Sequence, residues 1–195
     1  MLGLATFAVA ALGSPLKVAV TGAGGQTGQL AFRKMLQRPT QFQPVGIVRS
    51  DESKQTLVES GVPADAVVVA DITDAKSIAQ AMEGCNALII GTSAKPAPSG
   101  EMDADTGRPI FAFPNGQPEA VDWIGQKNQI DAAMACGKDM HVVICSSMGG
   151  TDPSNMLNAL GRETLPDGSA KGGNSKQRHS NAVLKWSARR SHQRQ

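Results

Sequence analysis

Val18-Ala19-Val20-Thr21-Gly22-Ala23-Gly24-Gly25-Gln26-Thr27-Gly28 runs from an apolar stretch into glycines, and a helix-compatible segment, Gln29 to Gln37, follows it. Strand, glycine turn and helix in that order make a corner suited to a phosphate group. The unpaired N–H groups of the helix start, and the positive end of its dipole, point at whatever sits there. Thr27 stands where a strict G-x-G-x-x-G would place its last glycine, so the spacing reads as G-x-x-G-x-x-G through Gly22, Gly25 and Gly28. The first glycine allows the tight turn, the middle one lets backbone approach a pyrophosphate, and the last lets helix pack close on strand. Gly24, Gln26 and Thr27 complete the candidate dinucleotide-binding corner.

Working outward, the same grammar repeats. Leu16–Thr21 is a near-continuous apolar run, as a parallel strand buried on both faces requires. Leu30, Ala31, Lys34 and Met35 set a helical period over Thr27–Gln37, and Pro39 stops it. Pro44–Arg49, Ala66–Ala70 and Asn86–Gly91 read as further strands. Asp51–Ser60, capped by Ser50 or Asp51, and a segment from Asp74 to about Glu83 read as the helices between them. This β-α-β-α-β-α-β succession with short joints predicts an α/β fold, a doubly wound parallel sheet of the Rossmann type with right-handed crossovers. Glu119–Cys136 reads as the longest helix and Met140–Cys145 as a fifth strand.

Thr92–Pro118 breaks the rhythm with five prolines, three glycines and two phenylalanines. A connection of that length is usually functional or disordered. It leaves the carboxyl end of the fourth strand, so it is either a lid or substrate wall, or a floppy insertion. After Gly161 the pattern fails. Gly168–Arg194 is too poor in apolar positions to repay its ordering entropy, and disorder is expected there apart from Asn181–Trp186. The expected organisation is a leader or presequence remnant over 1–15, a dinucleotide-binding Rossmann domain over 16–160, and a basic, disordered tail over 161–195.

The chain has 195 residues and a net charge of +2, unevenly spread. Residues 162–195 hold eight Lys/Arg and two acids, leaving eleven basic and fifteen acidic residues in the body. The tail has one aromatic, Trp186, and no nucleic-acid motif, so a nucleic-acid partner is not expected. Met1–Gly13 is apolar but too short to span a bilayer, and no membrane partner is expected. Cys85, Cys136 and Cys145 are odd in number and scattered, without C-x-x-C, so neither metal nor disulfide is expected; each reads as a small buried hydrophobe. A reducing compartment, cytosol or plastid, fits.

The ends of the strands carry the candidate chemistry. An NAD-specific fold places Asp or Glu about 20 residues beyond the glycines. Arg49 and Ser50 stand there instead, a guanidinium and a hydroxyl suited to a 2′-phosphate, which favours NADP(H) over NAD(H). The alternative is a solvated surface arginine. Asp71 and Ile72 stand where an adenine ring would lie, though Asp71 also reads as a turn cap. Gly91 and Thr92 would face the ribose and nicotinamide. Ser146 and Ser147 are placed to meet a substrate there. Asn128, polar on an inward helix face, either orders water near the site or is a satisfied buried amide. His141 reads as structural and Lys127 as solvated.

Thr21–Gly28, Val48-Arg49-Ser50, Asp71-Ile72-Thr73-Asp74, Val121–Ala133 and Ser147-Met148-Gly149-Gly150-Thr151 together resemble the plant and algal atypical short-chain dehydrogenase/reductases with an NAD(P)H-binding, NmrA-like domain. The resemblance runs from about Leu16 to Leu160 and is most specific in Val121–Ala133. It implies a Rossmann sheet that binds NADP(H) at Gly22, Gly25, Gly28, Arg49, Asp71 and Ile72. It implies no particular substrate. Two features depart from the wider superfamily. Its reductases use a Tyr-x-x-x-Lys pair, and this chain has no tyrosine. Loss of a positioned proton donor forfeits about 10²–10⁴-fold in rate. Atypical members often lack that tyrosine as well. The family also continues with Trp-Lys-Arg-Lys-Ala-Glu, where this chain reads Trp186-Ser187-Ala188-Arg189-Arg190-Ser191. Those residues can be encoded TGG AGC GCA AGG CGG AGC, and one extra A after TGG restores the family segment. The expectation is a frame lost after Trp186, and with it a sheet edge left open to self-association. Two functions therefore stand for test: an NADP(H)-dependent oxidoreductase of unknown substrate, with Ser147, Ser146 and Asn128 near the nicotinamide, and a catalytically inactive nucleotide sensor.

Overall fold

The computed structural model describes residues 14–137, 140–145, 152, 154, 162–164, 166–168 and 170–172. A five-stranded sheet forms its centre. It comprises β1 (Leu16–Thr21), β2 (Phe42–Val48), β3 (Val67–Val69), β4 (Ala87–Ile90) and β7 (His141–Ile144) in the order β3-β2-β1-β4-β7. Every pairing is parallel, from Leu16 opposite Phe42 through Ala87 opposite His141. The chain leaves β1 in one direction and later returns to its other side as β4, so the strand order reverses between those two. Crevices for ligands form outside the carboxyl ends at such a reversal.

Successive strand residues point to opposite faces, and each face has its own core. Val18 and Val20 of β1 join Phe32 and Met35 of α1 (Gln26–Leu36) and Leu57 of α2 (Asp51–Glu59). Ala19 and Leu88 join Ile78 of α3 (Ala75–Ala81) and Ile130, Ala132 and Ala133 of α4 (Gln126–Cys136). Helices thus cover both faces, the doubly wound arrangement that the sequence predicts. Gly46 completes the first core by omission. A Cβ there would lie 2.7 Å from Cζ of Phe32, a ring that is fully buried.

The helix starts follow local chemistry. The Ser50 hydroxyl accepts the Ser53 amide (3.2 Å) at α2, and the Asp74 carboxylate accepts the Lys76 amide (2.9 Å) at α3. Strand bounds lie within two residues of the sequence reading.

Three stretches differ from that reading. Within 92–118 lies an antiparallel hairpin, β5 (Ala97–Met102) and β6 (Pro109–Ala112), apart from the main sheet. Its turn is tied by Asp103, whose Oδ1 accepts from the Thr106 hydroxyl and amide, each at 2.7 Å. Those bonds, the hydroxyl first, hold the carboxyl below its ordinary value. The helix expected over Glu119–Cys136 opens as a π-helix, Glu119–Gly125, before α4 begins. Where loss of pattern led to an expectation of disorder, β8 (Arg162–Thr164) and β9 (Ala170–Gly172) form a short antiparallel pair.

The cysteines need a correction. Cys85 is buried, and burial pushes its thiol up against the opposing pull of Lys17. Cys136 is only partly buried, and Cys145, one residue past β7, is exposed. The apolar neighbours of Cys145 are strand residues that alternate between faces, so their hydrophobicity did not report on its burial. Val143 of the same strand is 58% exposed. Among the described residues, no helix is long and apolar enough to cross a membrane.

Candidate functional site

The glycine corner is held by backbone meeting backbone. Gly22 has φ +70°, the left-handed turn that glycine adopts without strain. A Cβ on Gly22 would meet the Gly91 carbonyl oxygen at 2.8 Å, and one on Gly28 would meet the Gly22 oxygen at 2.2 Å. A Cβ on Gly91 would meet the Thr21 oxygen at 3.1 Å. The turn after β1, the first turn of α1 and the end of β4 therefore touch through main chain alone. The Gly25 amide donates to the Gly22 carbonyl at 2.8 Å. Gly25 precedes α1 and carries no side chain to cap it, and the first turn of α1 holds no acidic residue. Its amides and positive dipole end are left for an external anion.

A cleft of about 450 Å³ opens above this corner. Gly22, Gly24 and Gly25 form its floor; Arg49 comes from the end of β2, Ser53 from the first turn of α2, and Asp71, Ile72 and Thr73 from the turn after β3. Gly91, Thr92, Ser93 and Lys95 follow β4, while Asn115, Gly116, Ala120 and Val121 close the far wall. Nine of the residues singled out in the sequence are brought together in this way: Gly22, Gly24, Gly25, Arg49, Asp71, Ile72, Gly91 and Thr92 line the cleft, and Gly28 sits beneath it. Gln26 and Thr27 are exposed on the first turn of α1.

Individual side chains are already engaged. Arg49 donates through Nη1 to the Asn115 carbonyl and through Nη2 to Asn115 Oδ1, both at 2.6 Å. The loop after the hairpin thus occupies a two-pronged guanidinium with two oxygens. Asp71 Oδ1 accepts the Thr73 amide and hydroxyl, each at 2.8 Å, and shapes the turn after β3. The Ser50 hydroxyl is spent on its helix cap and on Ser53 Oγ at 3.0 Å, and the residue at the cleft is Ser53. Asn128 donates from Nδ2 to the carbonyls of Ile72 and Thr73, both at 3.0 Å, so it pins the β3–α3 turn. Lys127 is solvated and paired with Asp131 on the next turn. His141 is exposed in β7. Ser146 and Ser147 lie outside the described residues.

Ser53, Lys95, Asn115 and Gln129 were not singled out from the sequence. Gln129 is fully buried and bonded to Thr21, Thr92 and Gly125. Lys95 brings an exposed cation to the cleft wall. The one available signal was its place three residues after the expected ribose contact at Thr92. Asp122 is buried, and its Oδ1 accepts the Ala94 amide at 3.1 Å, which ties the start of the 92–118 connection to the π-helix.

A family profile described as NAD(P)H-binding matches residues 22–188. Over 162 residues the chain is 47% identical to an uncharacterized chloroplastic protein of Arabidopsis thaliana, across 82% of this chain and 48% of that one. It is 44% identical over 169 residues to the sanguinarine reductase of Eschscholzia californica, across 77% of this chain and 60% of that one. The chain thus spans between 48% and 60% of the length of these two relatives. Among solved structures, a short-chain dehydrogenase/reductase family oxidoreductase from Burkholderia thailandensis matches with a TM-score of 0.56 at 19% identity, over 88% of this chain and 61% of that one. A superfamily member from Agrobacterium tumefaciens, solved with bound NAD, gives 0.54 at 17% identity, over 87% and 44%. At those identities the likeness is one of fold.

Proposed function

We propose that this chain, which belongs to the NAD(P)H-binding family, takes NADP(H) in the cleft above its glycine corner and serves an oxidoreductase whose substrate is not yet identified. The observation that carries the reading is the pair formed by an uncapped helix start and Arg49. The first suits a diphosphate; the second replaces, at the end of β2, the carboxylate that would favour an unphosphorylated ribose.

The residues fit such a coenzyme. Gly24 and Gly25 let backbone come close to a diphosphate, and Arg49, with Ser53 beside it, suits a 2′-phosphate. Asp71 and Ile72 flank the place for adenine. Asn128 positions their turn rather than touching a ligand. Gly91, Thr92 and Lys95 wall the nicotinamide side. The coenzyme, when bound, supplies hydride chemistry, and the protein supplies orientation and charge. Ser146 and Ser147 remain the candidates for meeting the substrate, since they follow β7 in the sequence.

A second reading, a sensor that binds coenzyme without turnover, is favoured by the Arg49–Asn115 contact and by the absence of tyrosine. Titration calorimetry with NADP⁺ and NAD⁺, followed by NADPH consumption assays on quinones, flavins and carbonyls, separates the two. Binding with consumption supports the oxidoreductase, and binding without it supports the sensor. No heat with either coenzyme on folded protein removes both. A plastid location is supported by the chloroplastic relative. Fluorescent-fusion imaging of the full chain in leaf cells tests it, and a purely cytosolic signal rejects it.

A further inference from the structure

We infer that buried Gln129 is a positioning residue for the coenzyme cleft, which holds the Thr92 hydroxyl as an acceptor and so leaves its hydrogen free for a ligand oxygen; this rests on the coenzyme reading above, in which Thr92 walls the nicotinamide side. Gln129 is fully buried, and its amide meets three groups. Its Oε1 lies 2.5 Å from the Thr21 hydroxyl, and its Nε2 lies 3.0 Å from the Gly125 carbonyl and 3.2 Å from the Thr92 hydroxyl.

Elementary donor counting fixes the direction of every bond. A carbonyl oxygen only accepts, so the atom facing Gly125 is the amide nitrogen. The amide oxygen therefore faces Thr21 and accepts from its hydroxyl. An amide nitrogen has two hydrogens. One goes to Gly125 and the other reaches Thr92 Oγ1, which is an acceptor in this contact. The hydroxyl of Thr92 has a single hydrogen of its own, and no acceptor among the described residues takes it. Thr92 lines the cleft. The chain of bonds that begins at the end of β1 thus ends in a hydroxyl set to give a hydrogen bond to a ligand oxygen.

Which oxygen follows from the strand order. Arg49 and Asp71 stand at the ends of β2 and β3, on one side of the glycine corner. Thr92 stands past β4, on the other side of the strand reversal. A dinucleotide held with its phosphorylated ribose at Arg49 and its diphosphate at α1 would have its second ribose on the β4 side. A ribose oxygen there would accept from Thr92 without competition from Gln129, whose hydrogens are both in use.

The test titrates the full chain with NADP⁺, 2′-phospho-ADP-ribose and 2′,5′-ADP. The last ligand has the Arg49 end but not the second ribose. Thr92→Val should weaken the first two by about tenfold, in keeping with one lost hydrogen bond in a partly buried site, and leave 2′,5′-ADP within about twofold. Thr92→Ser should restore both. Gln129→Met should weaken the same two ligands by about threefold to tenfold, and adding it to Thr92→Val should cost nothing further in binding. Unchanged binding by Thr92→Val, an equal loss for 2′,5′-ADP, or multiplying losses in the double variant would each overturn the inference. Wild-type protein that binds none of the three ligands would instead reject the coenzyme reading itself. Thr92→Val keeps the test decisive even if Gln129→Met fails to fold.

Discussion

One glycine-rich region floors the cleft and another shapes the hairpin of the connection that leads to its far wall, and their glycines do opposite things. In the corner after β1, a Cβ on Gly28 would come within 2.2 Å of the Gly22 oxygen and one on Gly22 within 2.8 Å of the Gly91 oxygen. In the hairpin connection, Gly100 (φ +88°) and Gly107 (φ +64°) also take left-handed turns, but nothing lies within 4 Å of a Cβ on either. The corner uses glycine to bring main chain against main chain; the hairpin uses it only to turn. The first is a close-packed seat, and the second an open turn in the connection that supplies the cleft wall at Asn115 and Gly116. A shared composition therefore conceals a difference in what the fold can tolerate.

The sharpest way to break this contrast is Gly28→Ala. The added carbon would also lie 2.6 Å from the Gly22 carbonyl carbon, and these are main-chain atoms with no rotamer to relieve the clash. Either α1 moves off β1 or the turn opens. Overpacking of this kind costs about 3 kcal/mol or more. Thermal denaturation should show that loss, and coenzyme binding should fall by at least about 100-fold where the variant folds. Near-wild-type stability and affinity would mean that the corner is as pliant as the hairpin.

Arg49→Ala comes next and addresses the seat alone. Hydrogen bonds to charged groups contribute about 1.5–3 kcal/mol, so NADP⁺ affinity should drop by about 10- to 100-fold. NAD⁺ lacks the 2′-phosphate, and its affinity should stay within about threefold. Calorimetry with both coenzymes reads the difference. Parallel losses would show that Arg49 holds the loop through Asn115 rather than selecting a phosphate.

The seat was legible in the sequence and the wall was not, for a physical reason. Strand, close-packed glycines and helix follow one another within a dozen residues, so local spacing carries the information. β4 and β2 are short apolar runs bounded by turn residues, and period alone finds them. The hairpin strand Ala97–Met102 contains Pro98 and Gly100 and has no alternation; its pairing is main-chain. Only Asp103 to Gly107, with an Asx-type turn at its head, signalled a reversal. Gln129 was hidden further still. A glutamine on a helix reads as solvent-facing, and two of its partners, Thr21 and Thr92, lie 108 and 37 residues away in sequence. Its neighbour Asn128 drew attention first, yet that amide holds a turn rather than the strand ends. The π-helix was also unreadable. Gly125 admits Ile72, whose Cδ1 would be 2.7 Å from a Cβ there, and that contact comes from β3's far end.

A smaller effect tests the wall. Gly107→Ala places a side chain in open space, so only the left-handed backbone is penalised, at about 1–2 kcal/mol. In an exposed hairpin apart from the main sheet, this should fray the turn locally. Amide hydrogen exchange over 103–108 should quicken, while the global melt and coenzyme affinity stay near wild type. A global loss as large as that of Gly28→Ala would show the hairpin to be part of the core rather than an addition to it.

The smallest effect is the most informative about how seat and wall communicate. Asn115 gives Arg49 two oxygens, and a 2′-phosphate would offer that fork the same kind of partner. Asn115→Ala removes Oδ1 but leaves the carbonyl. One exposed hydrogen bond is worth about 0.5–1.5 kcal/mol, and screening at this surface puts the effect at the low end. If loop and phosphate compete, NADP⁺ should bind about twofold to threefold more tightly to the variant, with NAD⁺ unchanged. If Asn115 instead holds the guanidinium in place for the phosphate, the same substitution should weaken NADP⁺. The sign of one small affinity change thus decides whether the wall opposes the coenzyme or prepares its seat.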